Sequence, residues 1–191
     1  MFISFGNPKI GKMLNFSLPR ETCVCATKWC RENCYGMRRL YRALELEKIY
    51  ECNYILSRSR EFPEIMIHIL RGMRRKIKIM RVHTVGDFYS KAYVEKWIRI
   101  ASELPDWRFY CYTRAWQRKK IREKLEELRS LDNFVVYAST DPYTGEPPEG
   151  WLEAGIEKCY RKPYKYCDKM NKCDECLYCV YGRGNVAFKV I

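Results

Sequence analysis

Eleven cysteines in 191 residues, crowded toward the two ends of the chain, constrain this sequence more than any other feature. Near the C-terminus, KCDECLYC sets Cys173, Cys176 and Cys179 in a C-x2-C-x2-C run, with Cys167 six positions earlier and Cys159 further upstream. Near the N-terminus, CVCATKWCRENCYG supplies Cys23, Cys25, Cys30 and Cys34. A fold for this chain has to gather those sulfurs around an inorganic cofactor or bridge them to one another. Disulfides belong mainly to oxidising compartments, and an odd count leaves a thiol over, so metal ligation is the expectation. The single Gln, Gln117, among abundant Lys, Arg and Glu is a thermophilic usage. Intracellular disulfides do occur in hyperthermophiles, which leaves that role open for some pairs.

Spacing points to the kind of cofactor. Two-residue gaps let a turning backbone present successive sulfurs, and the same run opens the bacterial ferredoxin signature. Structural zinc more often uses two separate C-x2-C pairs roughly 12–20 residues apart. A [4Fe-4S] cluster on Cys167, Cys173, Cys176 and Cys179 is therefore expected, with zinc as the alternative. In the N-terminal set, a helix from Arg31 onward would put Cys30 and Cys34 at i and i+4 on one face. They would share a metal with Cys23 or Cys25 from the preceding loop. Three thiolates on a four-iron cluster leave one iron open, where chemistry can occur. A fully ligated structural site, or one site built from both groups, are the alternatives, so one or two clusters are expected. Cys52 and Cys111 fall in apolar periodic segments and read as buried core thiols.

Composition narrows the class. Lys and Arg number 36 against 23 Asp and Glu, a net charge of +13, and 47% of residues are apolar. This length suits one domain that buries roughly 70% of its unfolded surface, which excludes a disordered chain. No apolar run reaches the ~20 residues of a membrane helix. MFISFGNPKIGKML is broken by Gly6, Pro8, Lys9 and Lys12, leaving no signal-peptide h-region, so a cytoplasmic location without a membrane partner is expected.

Periodicity gives the elements. MLNFSLP (13–19) reads as a first strand, followed by a long helix over about Arg31 to Ser57. Pro63 opens a second helix with Ile65, Met66, Ile69, Leu70 and Met73 inward. KIKIMRVH (76–83) alternates at period two and predicts a strand. Ser90 caps a helix carrying Tyr93, Trp97, Ile98, Ala101 and Leu104. WRFYCYT (107–113) is a third strand, Gln117 to Leu131 a charged helix, and FVVYAS (134–139) a fourth strand. Strands alternating with helices predict a parallel α/β sheet with right-handed crossovers. From DPYTGEPPEG (141–150) onward the sheet pattern fades. The division expected is a β/α unit over 1–150 and a Cys-rich metal-binding lobe over 151–191, packed as one unit.

In parallel α/β folds the active residues gather beyond the carboxyl ends of strands. That rule selects His83, Gly86 and Asp87 after the second strand, Thr113 and Arg114 after the third, and Ser139 and Asp141 after the fourth. Asp87, Asp141 and His83 are the candidate catalytic groups; Gly86, Asp87, Thr113 and Ser139 are candidates for cofactor binding. His68, in IMIHIL, reads as packed in or beside the core. No Walker loop, HExxH or Ser/His/Asp arrangement is present. Segment 158–172 holds Lys158, Arg161, Lys162, Lys165, Lys169 and Lys172 against Asp168, interleaved with Tyr160, Tyr164 and Tyr166. Cations neutralise phosphates while aromatic faces stack on unpaired bases, so Arg161, Lys162, Tyr164, Lys165 and Tyr166 are candidate nucleic-acid contacts. Further basic runs stand at 71–78 and 114–120.

A three-cysteine loop after strand one and a Gly-plus-acid motif after strand two resemble the radical-SAM superfamily. The resemblance implies a partial β/α barrel of incomplete TIM type, with Cys23, Cys30 and Cys34 as cluster ligands. Gly86-Asp87, standing where that superfamily has Gly-Gly-Glu, would approach the methionine moiety of S-adenosylmethionine. FSLP-x-x-TC…C-x3-CYG (Phe16 to Gly36), VHTVGDFYS (82–90), RFYCYT (108–113) and the final cysteine run resemble a phage and plasmid family called gene product eighty-eight. That resemblance implies a viral or mobile-element origin. The leading expectation is an iron–sulfur enzyme of radical-SAM-like architecture acting on or binding nucleic acid. A non-catalytic nucleic-acid-binding protein stapled by iron–sulfur or zinc is the alternative. Iron–sulfur nucleases share the cysteine layout, but WRFYCYT lacks the acid that their strand requires.

Overall fold

Short runs of three to six residues form the strands of one eight-stranded sheet in a computed structural model that describes residues 3–7, 9–37, 44–156, 163–167 and 172–189. In chain order the strands are β1 (Ser4–Asn7), β2 (Gly11–Phe16), β3 (Ile79–Val82), β4 (Arg108–Thr113), β5 (Phe134–Ser139), β6 (Leu152–Ile156), β7 (Lys165–Cys167) and β8 (Val186–Phe188). The spatial order is β1-β2-β3-β4-β5-β6-β8-β7. β1 and β2 form an antiparallel hairpin, and every later pairing is parallel. The seven parallel strands curl into a half-barrel.

The four strands legible from sequence are β2, β3, β4 and β5, each overlapping the segment expected to form it. The sheet does not fade after residue 150, however: β6, β7 and β8 extend it to its far edge. These strands have three to five residues, too few to display a period.

The helices are α1 (Lys28–Glu32), α2 (Leu44–Arg58), α3 (Phe62–Gly72), α4 (Lys91–Ser102), α5 (Lys119–Arg129) and α6 (Cys173–Cys176). One continuous helix from Arg31 is not formed. The Asn33 amide side chain and backbone N–H both donate to the Trp29 carbonyl, at 3.0 and 2.9 Å, and end α1 there. Cys34 consequently leaves the helix rather than stacking one turn beyond Cys30. The α3 and α4 starts agree with expectation: Pro63 lies in the first turn, and Ser90 Oγ accepts from the Tyr93 N–H at 3.2 Å.

Two burial expectations are corrected. Tyr50, Asn53 and Ser57 form the inward stripe of α2, so Cys52, one position off it, is exposed. On α3 the stripe is Phe62, Met66, Ile67 and Leu70, which turns His68 to solvent. Cys111 is buried as expected.

One face of the sheet carries Leu14, Phe16, Met80, Val82, Phe109, Val136 and Ala138 against α3, α4 and α5. Aromatic rings dominate this layer, with Trp97 5.7 Å from Phe16 and 6.2 Å from Phe109. The other face carries Met13, Tyr110 and Tyr137, and the C-terminal segment covers it through Val180, Leu177 and Cys179. That segment is thus the lining of the half-barrel.

Candidate metal centres

The ten described cysteines are free thiols; Cys159 lies outside the described residues. Their placement divides them. Cys23, Cys30 and Cys34 share the loop between β2 and α2, at the carboxyl end of the sheet. Burial pushes the Cys23 thiol well above its usual range; the charges of Asp87, Cys30 and Cys34 add to this, and Arg114 opposes it. Burial also raises Cys30, with Arg114 opposing and Cys34 and Asp141 adding. Cys23 and Cys30, desolvated and facing the charge of neighbouring thiolates and carboxylates, form a site deficient in positive charge, a deficit that a bound metal would relieve. Gly36 allows this close packing, since a β-carbon there would stand 3.3 Å from Cys34 Sγ.

Thr27 and Thr22 fasten the loop to the strand ends at Asp141 and Asp87. Thr27 accepts from the Cys30 N–H at 3.0 Å, capping α1, and its hydroxyl donates to Asp141 Oδ2 at 2.6 Å. Arg114 Nε donates to the same oxygen at 3.1 Å, and the Asp141 side chain is fully enclosed. Thr22 Oγ1 accepts from the Asp87 N–H at 3.2 Å. Arg114, selected in sequence only by its place after the third strand and given no role there, touches Asp141 and acts electrostatically on two of the thiols. Its position directly after a strand was the available signal.

Asp87 is buried, and its oxygens are committed within the chain. Oδ1 accepts from Thr113 Oγ1 at 2.5 Å and from the Phe88 N–H at 2.7 Å; Oδ2 accepts from the Arg114 N–H at 2.8 Å. Burial raises its pKa while these hydrogen bonds resist. Gly86 has φ +84°, and a β-carbon there would lie 2.6 Å from Leu18 Cβ and 2.8 Å from Thr22 Oγ1. Glycine lets the VGD turn close on the cysteine loop. Ser139 receives the Trp116 indole N–H on its carbonyl at 3.2 Å. His83 packs into the aromatic layer, ringed by Phe88, Tyr93 and Trp97. Its Nε2 pairs with the Tyr93 hydroxyl at 2.8 Å, and its Nδ1 has no hydrogen-bond partner among the described residues. Burial, aided by Arg81, drives its pKa down to about 3.

The second group comprises Cys167 on β7, Cys173 and Cys176 on α6, and Cys179 in the turn that follows. Burial raises Cys173, with Arg81 and Lys9 opposing and Cys167 and Cys176 adding. Cys179 is raised to about 11 by burial; the Tyr112 hydroxyl bond opposes, and Cys173 and Cys167 add. Lys165 Nζ reaches Cys176 Sγ at 3.7 Å and lies 4.8 Å from the Tyr178 ring. Lys165 therefore serves the thiol group. Tyr164 is exposed and Tyr166 half-buried; Arg161 and Lys162 lie outside the described residues. The hairpin clamps α6, because Lys9 O accepts from the Cys173 N–H at 2.9 Å and the Lys12 N–H donates to Asp174 Oδ2 at 2.8 Å.

Among the described residues, no three His, Cys, Asp or Glu donors converge at the spacing of a single metal ion. A polynuclear cluster spreads its thiolates over separate corners and does not require that convergence. None of the described helices is long and apolar enough to cross a membrane.

No solved structure matches the chain. It is 28% identical over 220 aligned residues to the Gene 88 protein of Mycobacterium phage L5, covering 96% of this chain and 89% of that protein. To the Gene 88 protein of Mycobacterium phage D29 it is 26% identical over 151 residues, covering 72% of this chain and 60% of that protein. The model of the family described as Gene product 88 matches residues 3–148. With about three quarters of its length inside that match, the chain belongs to the Gene product 88 family.

Proposed function

We propose that this protein is an iron–sulfur enzyme of radical-SAM-like design, holding one cluster at each thiol group. The observation that carries the reading is the meeting of Cys23, Cys30 and Cys34 with Arg114 and Asp141 at the carboxyl ends of parallel strands. A cluster held there by three protein thiolates supplies one open iron for one-electron chemistry. The chain's own residues do the positioning. Asp87 fixes the backbone of Arg114, Arg114 and Thr27 converge on Asp141, and that network sets the height of the loop above the sheet. Cys167, Cys173, Cys176 and Cys179 would ligate the auxiliary cluster, with Arg81, Lys9 and Lys165 offsetting its negative charge. The C-x2-C-x2-C spacing of Cys173, Cys176 and Cys179 supports a polynuclear cofactor over zinc.

A second reading has its own observation. Asp87 and Gly86 are spent on contacts within the chain, which favours clusters that staple a binding module rather than host a cosubstrate.

Anaerobic purification with iron and sulfide analysis tests the common part. About eight irons per chain are expected from two clusters, about four from one mixed site. Zinc alone would end both iron–sulfur readings. Incubating the reduced protein with S-adenosylmethionine then separates the two: release of 5′-deoxyadenosine supports the enzyme, and its absence from an iron-replete sample supports the module.

A further inference from the structure

The mouth that holds the N-terminal thiols is ringed by exposed cations from separate segments: Arg20 after β2, Lys28 and Arg31 on α1, and Arg118, Lys119 and Lys120 leading into α5. Hydrogen bonds stitch these segments together. Arg31 Nε donates to the Ala26 carbonyl, Arg118 to that of Val24 and Gln117 to that of Cys25, each at 3.3 Å. Glu21 and Glu32 answer only Arg20 and Lys28, at 3.8 and 3.9 Å. Arg31, Arg118, Lys119 and Lys120 have no carboxylate partner among the described residues.

Aromatic surface stands beside this charge. Tyr143, on the loop after β5, is 67% exposed. Its backbone N–H is held by Asp141 Oδ1 at 2.9 Å, so it is anchored to the same carboxylate that fastens the thiol loop. Half-buried Trp29 lies on α1 next to Cys30. Clustered cations that release counterions from phosphates, with rings on which bases stack, are the elements of single-strand recognition. Of the two helices that supply these cations, α1 has five residues and α5 reaches the rim only through its first turn, at Lys119 and Lys120, so neither offers a face along which to read a duplex groove.

We infer that this rim binds single-stranded nucleic acid and presents it to the N-terminal thiol site; the presenting role rests on the cluster reading above, while the binding does not. It moves the nucleic-acid surface away from segment 158–172, where Lys165 is occupied by Cys176 and Tyr178.

The test is fluorescence anisotropy of the full chain with labelled single strands of DNA and RNA about 20 nucleotides long, and with a duplex of equal length, at about 50 and 200 mM salt. The single strand is expected to bind more tightly than the duplex. Lys119→Glu with Lys120→Glu should weaken it at least about tenfold and flatten the salt dependence. Tyr143→Ala should weaken it by roughly 5- to 100-fold, with duplex affinity unchanged. Arg74→Glu, at the opposite end of the sheet, should leave binding as it was. Equal affinity for duplex, no effect of the rim variants, loss confined to Arg74→Glu, or no binding at low salt would each overturn the proposal. Iron and sulfide are counted in the same samples. A chain without iron that binds through this rim defeats the cluster reading alone; an iron-replete chain that binds no strand defeats this inference alone.

Discussion

Gly86 shows how much rests on one missing side chain. Its φ of +84° and the 2.6 Å approach of Leu18 make Gly86→Ala cost about 1–3 kcal/mol in backbone strain, with the steric overlap added. Urea denaturation should show that loss together with reduced iron at the N-terminal site, since the VGD turn braces the cysteine loop. His83 gives a pH signature. Its folded pKa, about 3, lies below the usual 6.5, so its stabilising contribution is full above pH 6.5 and is lost as pH falls toward 3. Asp87, raised by burial, works in the opposite sense, so the comparison that isolates the histidine is wild type against His83→Gln. The thermal midpoint of wild type should fall more steeply over that window than that of the variant. A parallel decline in both would show that His83 is not the group responsible. Thiol labelling of metal-free native protein should modify exposed Cys52 first and spare buried Cys111 until unfolding.

Among the elements, the hairpin and α6 are the least obvious pair. Gly11 has φ +67°, and its β-carbon would fall inside the Asp174 carboxylate, so Gly11→Ala should dislodge α6. On the two-cluster proposal, the expected result is loss of the C-terminal share of the visible absorbance while the N-terminal share persists. Thr27→Val, by removing both the α1 cap and the bond to Asp141, should do the reverse and cost about 1 kcal/mol. What could be read in advance follows from this. Period-two alternation exposed β3, short apolar runs between helical patterns exposed β2, β4 and β5, and Ser90 and Pro63 marked two helix starts, because those signals are local. Residues clustered beyond the strand ends were legible for the same reason: a parallel sheet sends every carboxyl end the same way. The clamp from Lys9 and Lys12 to α6 joins positions more than 160 apart, and no periodicity reports such a pairing. Cys52 and His68 were misread because an apolar neighbourhood in sequence does not say which side of a helix faces inward.

At the scale of the molecule, two thiol groups sit on different parts of one sheet: one over the carboxyl strand ends, the other on the lining of the half-barrel. Removing residues 185–191 deletes β8 and Asn185, whose carbonyl accepts from the Lys165 N–H and whose side chain accepts from the Glu153 N–H, each at 2.9 Å. About half the iron should be lost, by metal analysis, while amide protection in α4 and α5 persists in hydrogen exchange. Loss of all the iron would instead indicate a single site built from both groups.

The interleaving of β6, β8 and β7 also bears on synthesis. β7 emerges from the ribosome before the strand that will flank it, so the nascent sheet waits with a vacancy beside β6. Cys167 has no settled seat until residues 186–188 have been translated. The amino-terminal loop needs nothing beyond β5 and the start of the following turn. Assembly of the two thiol groups is thereby ordered in time, with the mouth complete before the lining.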